Sequence, residues 1–466
     1  MRVDRLTMAH LRINERQVDL TGADPTESLL RLLRRARLLG TKEGCGDGDC
    51  GACTVALVET DQTGAARFVA VNSCLLPIGV LAGREIFTVE ALANGDTLHP
   101  VQQALVDHAG SQCGYCTPGF AMSLFCGYYN GEFDDHVIDG NLCRCTGYVP
   151  IRRAAAALAK MPRPEDRFSK GLADRARKAS TLDMRVAGND TFAGFLHPTS
   201  IDEALALKVG TDAAWFAGGT DLGVNLSRGQ RLAPTLIAID RIAELHTLEI
   251  ADGYVRIGSV VPLTRLETEL AGLFPALDEM LPWFAARQVK NRATLGGNLG
   301  SASPIGDLLP WLLAHDAVIE VRGPNGARDL PIASYFKDYR KTALDPNELI
   351  VAVRVPRLEA IQAAYKVAKR QTDDISIVAA VFVLVLDAGR RVRHVRLAFG
   401  GVAAVPIRAL DTEAWLLGRA LDAEIVGQAS ARLREEFSPL DDHRGSAAYR
   451  RALVGNLFAR FVAERL

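Results

Sequence analysis

The chain has 466 residues, enough for about three domains at roughly 100–200 residues each. Hydrophobic residues make up 48% and charged residues 23%, and 54 Lys and Arg against 55 Asp and Glu leave a formal net charge of −1. This balance gives no basic field for nucleic acid. The longest apolar run, Ile377–Leu386, is far short of the roughly 20 residues that a membrane-spanning helix needs.

Residues 1–87 predict a small β-rich domain with one helix. Asp24 and the proline after it indicate a helix start, and Gly40 indicates the end of that helix. The predicted elements are a hairpin around residues 14–16, a helix over Ser28–Leu39, and strands over Thr54–Glu59 and Arg67–Asn72 joined by a turn at 61–64. The order of hairpin, helix, cysteine loop and hairpin is that of a β-grasp ferredoxin.

All nine cysteines lie between Cys45 and Cys145, which indicates metal binding rather than disulfides spread along a secreted chain. The first set consists of Cys45, Cys50, Cys53 and Cys74. Its C-x4-C-x2-C spacing with one distant cysteine is that of a plant-type 2Fe–2S site. Glycines separate the thiols, as a loop that wraps a cluster closely requires.

The second set pairs a C-x2-C motif, Cys113 and Cys116, with a C-x-C motif, Cys143 and Cys145. Taken alone, this set leaves zinc and iron–sulfur open, although a C-x-C pair suits structural zinc poorly. Beside a ferredoxin motif, a second 2Fe–2S cluster is the better prediction. The ninth cysteine, Cys126, lies in an apolar stretch and is expected to be a small buried hydrophobe.

Gly46, Gly48 and Gly51 also spell G-x-G-x-x-G, the dinucleotide-binding fingerprint. That motif is meaningful only between a strand and a helix of a βαβ unit. Here it lies inside the cysteine loop, so we reject this interpretation.

Residues 88–160 predict an all-helical domain with its two cysteine pairs at helix boundaries, where free backbone amides can face an anionic cluster. The helices are expected over 100–109, directly after Cys116, and over Arg152–Lys160. Residues 161–193 are rich in charge and poor in aromatic residues, which predicts a linker with partial disorder.

Residues 194–356 predict a mixed α/β domain, and residues 360–466 a C-terminal α+β subdomain. Strands are expected at Ala214–Ala217, Leu236–Ile239, Tyr254–Ile257, Ile377–Leu386 and His394–Phe399, and helices at Ile201–Lys208, Asp307–His315, Leu410–Leu417, Ala423–Glu436 and Ala447–Leu466.

Two glycine turns are expected after apolar strands of the α/β region, at 216–221 and 294–298. Consecutive backbone amides in such turns can cradle a pyrophosphate, although paired glycines in strand-to-helix turns are commonly structural. The residues alone leave both interpretations open.

Six motifs in order, GCGDGDCGAC, SQCGYCTPGF, GNLCRCTGY, FAGGTDLG, TLGGNL and SPIGD, resemble the iron–sulfur/flavin half of the molybdenum hydroxylases. Within that family the sequence is most similar to the small subunits of bacterial two-subunit xanthine dehydrogenases. The resemblance implies one 2Fe–2S cluster on each cysteine set and an FAD domain of the vanillyl-alcohol-oxidase type, which accounts for the missing dinucleotide fingerprint.

The resemblance also implies roles for individual residues. Those expected to contact FAD are Phe216, Ala217, Gly218, Gly219, Thr220, Asp221, Phe284, Ser301, Ser303, Asp307, Ile350 and Lys366. Tyr339 and Asp373 match the NAD side of the flavin. Gln112 matches a position near the molybdopterin of a partner chain, and its alternative interpretation is a solvated or capping glutamine.

By the same resemblance, no bond-making residue for the organic substrate lies in this chain. A large molybdenum-binding partner would oxidise hypoxanthine or xanthine, and electrons would pass through both clusters to FAD and then to NAD. The resemblance suggests a heterotetramer of two chain types. Iron–sulfur thiolates and the charged N-terminus, which contains no apolar signal segment, favour the cytoplasm. The alternatives are the same half of an aldehyde or N-heterocycle hydroxylase, and a zinc-stabilised scaffold or redox sensor.

Overall fold

The structure is a computed structural model that describes residues 10–60, 64–163, 165–176, 186–187, 194–230, 233–370 and 372–466. The chain divides into two compact units, which are Met1–Ala243 with Ala286–Ala293, and Glu244–Ala285 with Thr294–Leu466. Within the described ranges, no helix is both long and apolar enough to cross a bilayer.

The first unit begins with a five-stranded sheet and one helix. The elements are β1 His10–Ile13, β2 Arg16–Asp19, α1 Leu29–Arg35, β3 Thr54–Thr60, β4 Ala66–Asn72 and β5 Glu85–Phe87. The strand order is β2-β1-β5-β3-β4, with β1 and β5 parallel and the other pairs antiparallel. The predicted hairpin, helix and two strands are confirmed, while residues 61–63 of the predicted turn lie outside the described residues.

The helix start was predicted at the wrong residue. The Asp24 carboxylate accepts from the amide of Thr26 in a local turn, and the N-cap of α1 is Ser28, whose hydroxyl accepts from the amide of Arg31. The helix also ends before Leu39, because Arg37 has a left-handed backbone with φ of +62°.

The next part of the first unit is helical, as predicted. Its helices are α2 Pro100–Asp107, α3 Thr117–Asn130, α4 Val149–Leu158 and α5 Arg167–Ala176. Helix α5 lies in the segment that was predicted to be a linker, where buried Phe168 joins an aromatic cluster with Phe125 and Tyr129. Residues 164, 177–185 and 188–193 of that segment lie outside the described residues.

A small, mostly parallel sheet completes the first unit. The elements are β6 Val186–Ala187, β7 Gly194–Leu196, α6 Ile201–Lys208, β8 Ala214–Phe216, α7 Leu222–Ser227 and β9 Thr235–Ala238. The strand order is β6-β7-β9-β8, and β9 pairs in parallel with both of its neighbours. The predicted strands β8 and β9 and helix α6 are confirmed.

The second unit holds an antiparallel sheet of order β10-β11-β16-β12-β13. In chain order the elements are β10 Leu248–Ala251, β11 Tyr254–Gly258, α8 Leu263–Glu269, α9 Pro275–Met280, α10 Arg287–Lys290 (which belongs to the first unit), α11 Leu295–Ser301, α12 Leu308–Ala314, β12 Val318–Gly323, β13 Gly326–Pro331, β14 Phe336–Asp338, β15 Lys341–Thr342 and β16 Leu349–Pro356.

The prediction that a strand precedes the second glycine turn is wrong. Gly296 and Gly297 lie inside α11, whose N-cap Thr294 accepts from the amide of Gly297.

The C-terminal part of the second unit is an antiparallel sheet followed by three helices. The elements are β17 Ile361–Val367, β18 Val378–Leu386, β19 Val392–Gly400, β20 Ile407–Arg408, α13 Leu410–Leu416, α14 Ala423–Glu436 and α15 Ala447–Arg465. Strand β18 is buried along most of its length, which accounts for its continuous apolar sequence. The predicted strands and helices of this part are confirmed.

A buried ion cluster connects the elements of the first unit. The Arg292 guanidinium donates to Glu59 of β3 at 3.0 Å and to Asp240 at 3.1 Å, and Arg84 donates to the same two carboxylates at 3.2 and 2.6 Å. Burial alone would raise the pKa of Asp240, but the nearby arginines hold it well below its usual range. The Asp240 carboxylate therefore stays charged in the folded protein.

We expect Arg292→Leu to lower the free energy of unfolding by about 3 kcal/mol, because it removes one of the two arginines that donate to the Glu59 and Asp240 carboxylates. Arg152→Leu is the matched control, since the Arg152–Asp135 pair is exposed on both sides and its loss costs about 1 kcal/mol or less. Urea unfolding measures both changes. Equal effects of the two substitutions would contradict the role given to the cluster.

The buried histidine His197 predicts a loss of stability in acid. Its Nε2 donates to the carbonyl of Gly79 at 2.9 Å, and burial together with Arg241 lowers its pKa from 6.5 to about 3. Below pH 6.5 the histidine therefore binds a proton in the unfolded chain but stays neutral in the folded chain. The free energy of unfolding falls as the pH falls.

For this single group we expect the free energy of unfolding to be about 2 kcal/mol lower at pH 5 than at pH 7. His197→Gln keeps a donor for Gly79 and removes the titration, so it should flatten the curve of urea midpoint against pH. His443→Gln, at an exposed position, should leave that curve unchanged. A wild-type slope in the His197→Gln variant would contradict the assignment.

Candidate iron–sulfur and flavin sites

The four thiols of the first set lie in two pairs. The amide of Cys45 donates to the sulfur of Cys50 at 3.2 Å, and the amide of Cys50 donates to the sulfur of Cys45 at 3.3 Å. The sulfurs of Cys53 and Cys74 are 3.3 Å apart, and both residues are buried. The two thiols of each pair are not adjacent in the sequence, and the fold brings them together.

Glycine shapes this loop at two positions. Gly48 has φ of +96°, and a Cβ there would lie 2.7 Å from Leu75. A Cβ on Gly44 would lie 2.5 Å from the sulfur of Cys50. The side chain of Asn72 at the end of β4 donates to the carbonyl of Gly48 at 2.8 Å and holds the loop against the sheet.

The chemistry of the donor set fits a 2Fe–2S cluster. The hydrogen bond with Cys45 lowers the pKa of the Cys50 thiol to about 6, so a thiolate forms readily there. Four thiols in two pairs supply two thiolates for each of two irons. In the described part of the chain, no three His, Cys, Asp or Glu side chains are grouped around a position for one metal ion.

The second set is also arranged in pairs, in which Cys145 influences the pKa of the Cys113 thiol and Cys143 that of the Cys116 thiol. Cys116 is the N-cap of α3, and the two residues of the C-x-C motif precede α4. Thr146 contacts the sulfur of Cys143 through its hydroxyl at 3.1 Å and its amide at 3.4 Å. This donor set fits a second cluster in the same way.

The two cysteine loops contact each other through backbone. The amide of Leu142 donates to the carbonyl of Cys50 at 3.0 Å, and Leu142 directly precedes the ligand candidate Cys143. The side chain of Asn141 donates to the carbonyl of Gly51 at 3.0 Å. One hydrogen bond and one residue therefore separate candidate ligands of the two sets.

A buried polar network around Asn141 escaped the sequence analysis. The Nε2 of Gln288 lies 3.1 Å from the Oδ1 of Asn141 and 3.1 Å from the hydroxyl of Ser123. Gln288 is far from the other two in the sequence, and no local pattern connects them. Only the fold brings these residues together.

The helical part also contains Gln112 and Cys126, for which the sequence analysis makes individual predictions. Gln112 is exposed next to the exposed thiol of Cys113. Cys126 is buried inside α3, as expected for a small hydrophobe, and its burial raises the pKa of its thiol.

The first glycine turn, residues 216–221, lies in the first unit at the end of β8. A Cβ on Gly218 would lie 1.7 Å from the carbonyl oxygen of Arg292, so only glycine fits there. Gly219 has φ of +80°, and its carbonyl accepts from the amide of Gly223 at 2.6 Å, which joins the turn to α7. Phe216 is buried, Ala217, Gly218 and Thr220 lie along the turn, and Asp221 is the N-cap of α7.

The remaining flavin candidates lie in the second unit. Asp307 and Lys366 form a buried ion pair of 2.8 Å, and Lys366 also donates to the carbonyl of Trp283 at 2.9 Å. The second oxygen of Asp307 accepts from Ser376, a partner that the sequence analysis did not name. The Oδ1 of Asn298 in α11 is buried with no hydrogen-bond partner among the described residues, which leaves an acceptor for a bound hydroxyl.

The other candidates of the second unit occupy defined positions. The hydroxyl of Ser301 donates to the carbonyl of Asn298 at 3.1 Å, and the hydroxyl of Ser303 accepts from the amide of Ile305 at 3.4 Å. Ile350 is buried in β16, and Phe284 is half-buried. Tyr339 is exposed after β14, and Asp373 has a left-handed backbone with φ of +51°.

Comparison with known proteins assigns these regions to four family models. They are the "2Fe-2S iron-sulfur cluster binding domain" at 11–78, the "[2Fe-2S] binding domain" at 88–156, the "FAD binding domain in molybdopterin dehydrogenase" at 190–358 and the "CO dehydrogenase flavoprotein C-terminal domain" at 363–465. The predicted multidomain α+β fold, with two 2Fe–2S domains, an FAD-binding domain and a C-terminal subdomain, is confirmed.

Curated relatives include the xanthine dehydrogenase of Emericella nidulans, 31% identical over 97% of this chain, and the xanthine dehydrogenase/oxidase of Mus musculus, 32% identical over 96%. The chain spans about 38% of the length of each. Among solved structures, a chain of the carbon monoxide dehydrogenase from Hydrogenophaga pseudoflava is 31% identical, with a TM-score of 0.55, 58% of this chain covered and 95% of that chain.

The four matched regions contain both sets of paired thiols and the glycine turn at 216–221. The chain belongs to the molybdenum hydroxylase family and carries that family's two 2Fe–2S domains and its FAD-binding domain.

Proposed function

We propose that this chain is the electron-transfer subunit of a xanthine dehydrogenase, working with a large partner that binds molybdopterin. The observation that carries the proposal is the alignment of nearly the whole chain with xanthine dehydrogenases of which it spans about 38%. In this proposal a separate chain supplies the rest, including the site that oxidises hypoxanthine or xanthine, and the two chain types form a heterotetramer in the cytoplasm.

Within this proposal the residues of the chain bind and position cofactors. The two sets of paired cysteines would hold two 2Fe–2S clusters, and Gln112 would face the molybdopterin of the partner. The FAD would be held by the turn at 216–221 and by Phe284, Ser301, Ser303, Asp307, Ile350 and Lys366. When bound, these groups supply one-electron transfer and hydride chemistry that amino-acid side chains cannot provide.

Local contacts suggest how the chain would help. The ion pair with Asp307 fixes the position of the buried Lys366 side chain, and the Oδ1 of Asn298 is free to accept from a bound hydroxyl. Tyr339 and Asp373 would border the place where NAD approaches. The Cys50–Leu142 contact would give electrons a short route between the two clusters.

A second candidate is the same half of another molybdenum hydroxylase, such as one for aldehydes or N-heterocycles. The match to a carbon monoxide dehydrogenase chain, at 31% identity over 95% of that chain, favours keeping this candidate. The partner decides between them. Turnover of a panel of purines, aldehydes and N-heterocycles by the complex would identify the substrate class.

Anaerobically purified chain is expected to contain about four irons, four sulfides and one FAD, as two 2Fe–2S clusters and a flavin require. Without its partner it should still reduce a dye with NADH, while xanthine turnover should need the partner. Zinc in place of iron would support the scaffold alternative. Xanthine turnover by the isolated chain would overturn the division between the two subunits.

We expect Cys145→Ser to lose about half of the iron and one of the two EPR signals of the reduced protein, because it removes one ligand of the second cluster. Cys126→Ala is the matched control. Cys126 is a buried thiol of the same domain that lies in neither pair, so iron content and both signals should remain. Loss of iron in both variants would contradict the ligand assignment.

A further inference from the structure

Helix α7 packs on the buried half of the first cysteine set. Val224 lies against a small core formed by Leu30, Cys53, Cys74 and Leu75. The preceding residue, Gly223, lies so close to the chain that a Cβ there would be 2.1 Å from the carbonyl oxygen of Leu75. Leu75 follows the candidate ligand Cys74 directly. The helix is thus in contact with the chain beside a cluster ligand.

The same helix is continuous with the glycine turn. The amide of Gly223 donates to the carbonyl of Gly219 at 2.6 Å, so the turn and the first residues of α7 form one hydrogen-bonded piece of backbone. At the other end, the carbonyl of Ser227 accepts from Arg31 at 3.4 Å. There Arg228 also lies 3.4 Å from the carboxylate of Asp47 in the cysteine loop. The helix is therefore held against the cysteine domain along its whole length.

The backbone of Gly223 is helical and does not require glycine. The requirement is one of space, since the opposing atom is a backbone oxygen that cannot rotate away. Opening the contact from 2.1 Å to an allowed separation moves α7, and with it the glycine turn, by about 1 Å away from the segment after β4 that carries Cys74.

We propose that α7 sets the separation between the flavin turn and the first cluster, and that Gly223 is the positioning residue that allows the close approach. The proposal rests on the proposed function, in which electrons pass between these two cofactors. When bound, FAD would supply the two electrons of a hydride from NADH to the 2Fe–2S clusters one at a time, with the protons released to water. The glycine turn and α7 would hold it at a fixed distance from the first cysteine set. The rate of such a step depends steeply on the separation of the centres.

The test uses the purified full chain with its cofactors and compares Gly223→Ala with Gly427→Ala. Gly427 lies in α14, where a Cβ would have no other atom within 4 Å, so a methyl group there should be harmless. Stopped-flow mixing with NADH follows bleaching of the flavin and then of the clusters. Equilibrium titration gives the reduction potentials of both, and iron and FAD contents are measured alongside.

For Gly223→Ala we expect unchanged iron, FAD, potentials and flavin reduction by NADH, with cluster reduction slower than in the wild type by more than about twofold. Gly427→Ala should match the wild type throughout. Cluster reduction within twofold of the wild type in Gly223→Ala would overturn the proposal. A wild-type protein whose flavin NADH does not reduce would instead count against the proposed function.

A second variant covers the case in which Gly223→Ala loses FAD or iron. Val224→Ala keeps the helix and removes the packing against Cys53, Cys74 and Leu75. With full cofactor content, slower cluster reduction and unchanged potentials support the proposal. A wild-type rate in this variant, when Gly223→Ala cannot be measured, overturns it.

Discussion

The arrangement of the first unit depends on a backbone contact between the two cysteine loops. The carbonyl of Cys50 accepts from the amide of Leu142, and the carbonyl of Gly51 accepts from Asn141. A Cβ on Gly51 would lie 2.1 Å from the carbonyl oxygen of Gly140. The loops can meet only because glycine stands at this position, and the contact brings the two candidate metal sites together.

A distant segment secures this contact. Residues 286–293 belong to the first unit although the chain on both sides of them belongs to the second. Gln288 bonds to Asn141 and Ser123 in the buried network, and Arg292 joins the ion cluster with Glu59 and Asp240. These contacts attach the segment to the helical part and to the β3 strand of the first unit.

Features written in local sequence could be predicted, and features that depend on distant partners could not. Local patterns predict the cysteine sets from their spacing, β1 and β2 from the alternation of apolar residues, and β18 from its apolar run. The helix start predicted at Asp24 is wrong, because a carboxylate can accept from the backbone of a local turn as readily as it can cap a helix. Paired glycines predict a turn after a strand at 294–298, but Thr294 caps a helix there, and both glycines lie inside α11. The partners of Gln288 are more than a hundred residues away, beyond the reach of any local pattern.

Separations between the candidate centres are set mostly by backbone atoms. The Leu75 carbonyl faces Gly223, the Arg292 carbonyl faces Gly218, and the Cys50 carbonyl accepts from the Leu142 amide. Such contacts require glycine at a few positions and place no restriction on the identity of most other side chains. An identity of about 31% to relatives is therefore compatible with an unchanged geometry. None of these contacts involves a substrate, so they are compatible with similarity to proteins that are named for different substrates.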